Sequence, residues 1–217
     1  MKTLALEFST DRRSVAVAVN GAVLSEATET GGRESHPFRF IASALADAPL
    51  EREDVECVAV GLGPGSYHGV RSAIAIAQGW QLVRNVRLCG VSSAAAIASE
   101  ARRQARFGRV TVVIDAHRGE IYLASYDVSP ERCQETEALR VATPESARAQ
   151  LGASQWVVGP EAPPWWPTAD IVFPSAAAVA RLAADRTEGV AGDRLEPLYL
   201  RQTSFVKAPP PRVIPGL

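Results

Sequence analysis

Residues 57–69 read CVAVGLGPGSYHG and run directly into VRSAIAIAQGWQLV. The opening stretch, residues 57–62, is a continuous apolar run, as expected of a strand covered on both faces. Residues 70–83 have helical spacing. Ala73, Ala75, Ala77 and Gly79 are small enough for close backbone approach, and Ile74, Ile76, Trp80 and Val83 supply bulk. Between strand and helix lie Gly63, Pro64, Gly65, Ser66 and Gly69, where glycine permits positive φ and lets another backbone come near. A strand that turns through such a loop into a helix belongs to an α/β protein.

Three readings compete for the loop. A phosphate-binding P-loop needs a lysine after its last glycine, and no lysine lies between Lys2 and Lys207. Gly63, Gly65 and Gly69 fit a dinucleotide fingerprint loosely, but that motif closes the first strand of its unit. Here three strands come first: residues 4–8, residues 14–20, and a third from Ala22. An Asn20-Gly21 pair sits between the second and third, as a tight hairpin requires. The third reading, a structural turn seating a helix against a sheet, is the one that spacing alone favours.

Between the meander and the loop, Pro37 opens a helix whose Phe38, Ile41, Ala42 and Leu45 share one face. Phe40 and Ala44 add apolar surface beside that stripe, so the helix is either deeply buried or covers a partner. Downstream, Ser92 or Ser93 starts an alanine-rich helix reaching about residue 107. Strands are expected at 109–115 and 120–128 around a turn at 116–119. Weaker strands at 156–158 and 171–173 flank a Pro/Trp-rich loop, 159–167. A helix at 175–185 and a last strand at 196–201 complete the pattern, and the proline-rich end is expected to be disordered. No internal repeat is visible in the residues.

The 217 residues carry a formal net charge of −1, with 47% hydrophobic and 22% charged residues. That is enough to bury a core, and it provides no basic field for holding a nucleic-acid backbone. With only Lys2 and Lys207, a catalytic lysine within the body of the chain is excluded. Cys57, Cys89 and Cys133 are widely spaced and form no CxxC, which reads as free thiols in a reducing compartment. The first residues show no leader-like apolar segment, and no charge-free run approaches a membrane span. A soluble cytoplasmic protein is the expectation.

Residues 58–80, VAVGLGPGSYHGVRSAIAIAQGW, resemble the signature of the TsaB (YeaZ) family, G-x-GPGSFTG-hydrophobic-R followed by an alanine- and glycine-rich helix. Tyr67 stands for the usual Phe, His68 for the usual Thr, and Arg71 matches the signature arginine. Four further segments agree in order: LALEFST at the start, LCGVSS at 88–93, VVIDAHRGEIY at 112–122 and PLYLR at 197–201. The resemblance spans about residues 4–201.

It implies an actin-like ATPase (ASKHA, ribonuclease H-like) α/β fold of two small lobes, the second shortened. The lobes would occupy residues 1–90 and 91–203, before a tail at 204–217. It also implies a non-catalytic subunit that binds a TsaD-like catalytic subunit, with a TsaE-like ATPase joining, for threonylcarbamoyladenosine formation on tRNA. Such a subunit would be a homodimer when alone, touch tRNA only indirectly, avoid membranes, and hold no cofactor, metal or catalytic residue of its own. The resemblance places the partner surface on the first helix and the post-loop helix, where Phe40, Ala44, Ile76, Gly79 and Trp80 are the candidates. The family start usually has Asp-Thr where this chain has Glu7-Phe8, a departure that weakens any independent phosphate site.

The alternative is an autonomous ATP-dependent or metallopeptidase-like enzyme. His36, His68 and His117, 32 and 49 residues apart, offer no pair on one helix to hold an ion. His36 reads as a helix-start residue. Asp115 and Glu120 could be paired carboxylates, but Arg118 between them suggests a salt-bridged turn. Ser66 has no histidine–acid pattern behind it. Trp165 and Trp166 read as local packing, and Arg102, Arg103, Arg106 and Arg109 as a solvated helix end.

Overall fold

A computed structural model describes residues 1–31, 36–150, 156–161, 166, 168–186 and 189–200. Strands β1 (Lys2–Glu7), β2 (Arg12–Val19) and β3 (Ala22–Thr30) form the expected meander. Val19 pairs with Ala22 across a two-residue turn in which Asn20 and Gly21 both take positive φ, 50° and 81°. Helix α1 (Pro37–Asp47), strand β4 (Cys57–Gly61), helix α2 (Tyr67–Arg84) and strand β5 (Arg87–Val91) follow. The sheet order is β3-β2-β1-β4-β5, with β4 parallel to both β1 and β5.

After helix α3 (Ser93–Arg103) come β6 (Gly108–Asp115), β7 (Ile121–Val128), β8 (Cys133–Ala142), helix α4 (Pro144–Gln150), β9 (Trp156–Gly159) and β10 (Asp170–Ile171). Their sheet order is β10-β9-β6-β7-β8. This is the first sheet again: an antiparallel three-strand meander whose first strand pairs in parallel with a fourth, and the fourth with a fifth. The chain is therefore two copies of one topology, invisible in the residues because the copies share pattern and not sequence. Among the described residues, nothing between β9 and β10 corresponds to α2, so the second copy is the shorter.

Several expected elements move. The helix after the glycine loop starts at Tyr67 rather than near residue 70, and α3 ends at Arg103 rather than near 107. Residues 196–200 form no strand; the Leu198 N–H donates to the Leu62 carbonyl (3.0 Å). Arg201 and the proline-rich tail lie outside the described residues. Strand β8 and helix α4 had no sequence expectation.

The packing follows from strict alternation of large and small residues in the first sheet. Leu4, Leu6, Val15, Val17, Val58 and Val60 face α1 and α2; Ala5, Ala16, Ala18, Cys57 and Ala59 face the other way. Onto that small-residue face lies helix α5 (Ala176–Ala184), whose Ala176, Ala177, Ala178, Val179, Ala180 and Ala183 are all buried. Alanine against alanine lets helix and sheet approach closely. Helix α5 thus follows the second sheet's strands in the chain yet completes the first sheet's core. Helix α3 covers the second sheet and packs on α5, and α4 covers the second sheet's other face.

Cys57 and Cys89 are buried free thiols and Cys133 is half-buried; burial pushes all three upward, Cys133 to about 11. No helix among the described residues is long and apolar enough to cross a membrane.

Candidate functional site

The glycine loop is pressed onto the β1–β2 hairpin. A Cβ on Gly65 would lie 2.1 Å from the Ser9 carbonyl oxygen, and one on Gly69 would lie 1.9 Å from that of Phe8. Gly63 and Gly65 take φ of 84° and 147°. Three of the amides in and after the loop have partners within the chain. Ser66 N–H donates to the Ser9 carbonyl (2.6 Å), Gly69 N–H to the Ser66 hydroxyl that caps α2 (3.3 Å), and Gly63 N–H to Ser93 Oγ (3.1 Å). The Ser9 and Phe8 carbonyls press against Gly65 and Gly69, so the loop seats α2 tightly against the hairpin.

Behind the loop, Glu7 ends β1 with its side chain fully buried. Ser9 N–H donates to Oε1 (2.8 Å) and Ser93 Oγ donates to Oε2 (2.9 Å). Burial pushes the Glu7 carboxyl above the usual carboxylate range, and hydrogen bonding from the Ser9 side chain and backbone and from Ser93 opposes that shift only in part. Phe8, the other departure in the first strand, is buried in the core against α1 and α2.

Helices α1 and α2 diverge over an apolar groove of about 520 Å³. Its walls are Pro37, Phe38 and Ile41 from α1 and Ala75, Ile76, Gly79, Trp80 and Val83 from α2, with Arg52, Glu53 and Arg84 at its polar end. Phe38 is 65% exposed, Val83 80%, and the neighbouring Leu82 88%. Three of the five candidate surface residues, Ile76, Gly79 and Trp80, meet here.

The candidates on α1 do not. Ala44 is completely buried, and Phe40 is half-buried against this chain's own core. The inward stripe of α1 is Ile41, Ala44 and Leu45, continued by Ala48, so Phe38 and Ala42 turn outward. Counting the stripe from Phe38 instead of Ile41 put Ala44 on the wrong side and missed Phe38 as an exposed residue. The loop residues Gly63, Pro64 and Gly69 are buried, while Arg71 is exposed, its guanidinium 5.1 Å above the Tyr67 ring and bonded to the Tyr67 hydroxyl.

A second cavity of about 480 Å³ opens between the two sheets' loops, with Ser9, Asp11, Ser66, Tyr67, His68, Asp115, His117 and Glu161 on its walls. Here the fold brings together His68 and His117, while His36 stands apart, exposed at the start of α1 and making no side-chain cap. The turn at 116–119 differs from expectation. His117 and Arg118 both take positive φ, 60° and 57°, and Asp115 is paired by His117 (Nδ1–Oδ2 3.2 Å) rather than by Arg118. Among the described residues no cluster of His, Cys, Asp and Glu has the geometry to hold a metal ion.

The arginines at the end of α3 and just beyond it are engaged within the chain. Arg103 pairs with Glu100 (3.2 Å), Arg106 with Asp170 (2.8 Å) and Arg109 with Glu137, and Arg102 bonds the Glu131 carbonyl. Trp166 packs against the second sheet; Trp165 lies outside the described residues.

Known proteins agree with this geometry. The family model described as TsaD, tRNA N6-adenosine threonylcarbamoyltransferase, matches residues 36–152, over half of the chain. The Escherichia coli K12 protein named tRNA threonylcarbamoyladenosine biosynthesis protein TsaB is 31% identical over 93% of this chain and 95% of its own length. A Bacillus subtilis protein of the same name is 29% identical over 58% of this chain. The solved structure of YeaZ from Pseudomonas aeruginosa superimposes with a TM-score of 0.80, at 28% identity, over 92% of this chain and 99% of that one. The two-sheet α/β architecture is thus that of YeaZ, as the resemblance implies. With near-full-length identity to a TsaB protein and a YeaZ structure for its fold, this chain belongs to the TsaB (YeaZ) family.

Proposed function

We propose that this chain is a non-catalytic subunit in threonylcarbamoyladenosine formation on tRNA, and that it acts by binding a TsaD-like catalytic subunit through the α1–α2 groove. The observation that carries this reading is the groove itself. It is apolar, open, and bordered by Phe38 and Val83, two large side chains more than half exposed at one site. A soluble chain leaves such a patch uncovered only at cost, and a partner helix is the shape that fills a trough between two helices. On this reading ATP is left to a TsaE-like ATPase. In the absence of the catalytic subunit the same groove would pair two copies of this chain, and tRNA would be reached only through the assembly, in the cytoplasm.

The test is light scattering after size-exclusion of this chain mixed with the TsaD homologue of its own genome. A one-to-one complex is expected, and Trp80→Glu or Phe38→Glu should abolish it while leaving the chain folded by circular dichroism. Persistence of the complex in both variants would remove the groove from the account. Stoichiometric metal or tightly bound ATP on the purified chain would favour an autonomous enzyme instead.

A further inference from the structure

A third cavity, of about 280 Å³, lies where β2, β3, α3 and α5 come together, and Phe173 is a wall both of it and of the cavity that holds His68 and His117. Its charged side chains fall into two sets. Glu100, on α3 and only 12% exposed, is matched within the chain. It pairs with Arg103 (3.2 Å) and Arg181 (3.5 Å) and accepts from the Ser175 hydroxyl (2.8 Å).

Arg12 on β2 and Glu26 on β3 are not matched. Among the described residues no carboxylate pairs with Arg12, whose guanidinium lies over the Phe173 ring, 5.5 Å from its centre. Glu26 accepts from the Ala177 N–H (3.1 Å), and no cation pairs with it. Each is thus held by an uncharged contact, and the two opposite charges border one cavity without pairing with each other. The first amides of α5 are spent on Ser14, Glu26 and Ser175, so a ligand here would be held by side chains and not by the helix end.

A simple anion would answer Arg12 and leave Glu26 and Glu100 facing it; a simple cation would answer Glu26 and meet three guanidinium groups. A zwitterion answers both. Its carboxylate suits the planar fork of an arginine, and its ammonium group suits the carboxylate of Glu26. Ile171 and Phe173 supply an apolar wall beside these charges. The volume falls just below the ~300–1,000 Å³ usual for ligand pockets, which suits a very small molecule and not a nucleotide.

We propose that this cavity binds a free α-amino acid with a small aliphatic side chain, its carboxylate on Arg12 and its ammonium group on Glu26. The cavity shares no residue with the α1–α2 groove, and the proposal stands whether or not that groove binds a TsaD-like subunit.

Calorimetric titration of the full chain with valine tests it, alongside isovalerate and isobutylamine, which are valine without its amine and without its carboxylate. Saturable one-to-one binding of valine is expected. Each analogue should bind at least about tenfold more weakly, because it leaves one charge of the cavity unanswered. Arg12→Ala should weaken valine by a similar factor. Glu26→Gln keeps an acceptor for the Ala177 N–H and removes only the charge, so it should weaken valine and spare isovalerate. If either variant fails to fold by circular dichroism, the comparison of valine with its two analogues on the unaltered chain still decides. Absence of saturable valine binding would overturn the proposal. So would isovalerate or inorganic phosphate binding as tightly as valine, which would mark a plain anion site, or a folded Arg12→Ala that binds valine undiminished.

Discussion

At Gly61 the absent side chain and the Glu7 carboxyl occupy one volume, which makes the pair testable as a pair. Gly61→Ala places a methyl group 2.0 Å from Oε2 and 2.6 Å from the carboxyl carbon, so the Glu7 side chain must leave its contacts with Ser9 and Ser93 to make room. Overpacking of this kind should destabilise the chain by about 1–3 kcal/mol in urea unfolding. Glu7→Asp withdraws the carboxyl by one methylene, so Gly61→Ala should cost measurably less in that background, by at least ~0.5 kcal/mol. Equal cost in both backgrounds would mean that the strain is relieved elsewhere. None of this was legible beforehand. In the residues, Glu7 reads as the charge that ends an apolar run, and its substitution for aspartate reads as decay of a phosphate site. Only the three-dimensional meeting of β1, β4 and α3 shows the longer carboxyl filling a gap left by glycine. Asp115 misled for a related reason: Arg118 is near it in sequence, but the left-handed backbone at His117 and Arg118 delivers His117 to it instead.

At the scale of elements, legibility tracked how local the determinant was. The Asn20-Gly21 turn and the strand–loop–helix at 57–83 are encoded by residues in contact with their chain neighbours, and both formed, the helix starting one turn earlier than read. Strand β8, CQETEALRVA, is an edge strand whose polar side chains largely face solvent, so it lacks the apolar alternation that marks a strand. Helix α1 has apolar residues at 38, 40, 41, 42, 44 and 45, and such a helix has no unique inward phase until its sheet is known. Helix α2 offers the sharper lesson at Gly79. A Cβ there would meet nothing within 4 Å, so this chain alone gives no packing reason for glycine in the middle of an 18-residue helix. Gly79→Ala should therefore stabilise the isolated chain by up to about 1 kcal/mol, raising its melting temperature. If a partner helix uses the gap for close approach, the same change should weaken the complex with the TsaD homologue. A gain in both stability and binding would remove Gly79 from the interface.

For the molecule as a whole, the duplicated topology sets where stability resides. A division after Val91, the end of β5, separates the strands of the two sheets. It does not separate the cores. Helix α5, some 85 residues beyond that boundary, buries Ala5, Ala16, Ala18 and Ala59 on the first sheet, and Ser14 Oγ accepts from Ala176 N–H (2.7 Å) to cap its start. Glu26 of β3 accepts from the next amide, that of Ala177 (3.1 Å), so the first sheet also supplies polar anchors for this helix. An alanine-rich sheet face cannot be left to water without exposing a continuous apolar surface, and the residues that cover it cannot be guessed from an alanine-rich helix that would suit either sheet. Residues 1–91 expressed alone should therefore fail to unfold cooperatively, associating or binding hydrophobic dye, whereas residues 1–200 should show one transition. A monomeric 1–91 fragment with a single sharp urea transition would show instead that the α1–α2 side of the sheet is core enough, and that α5 is a late addition to a self-sufficient lobe.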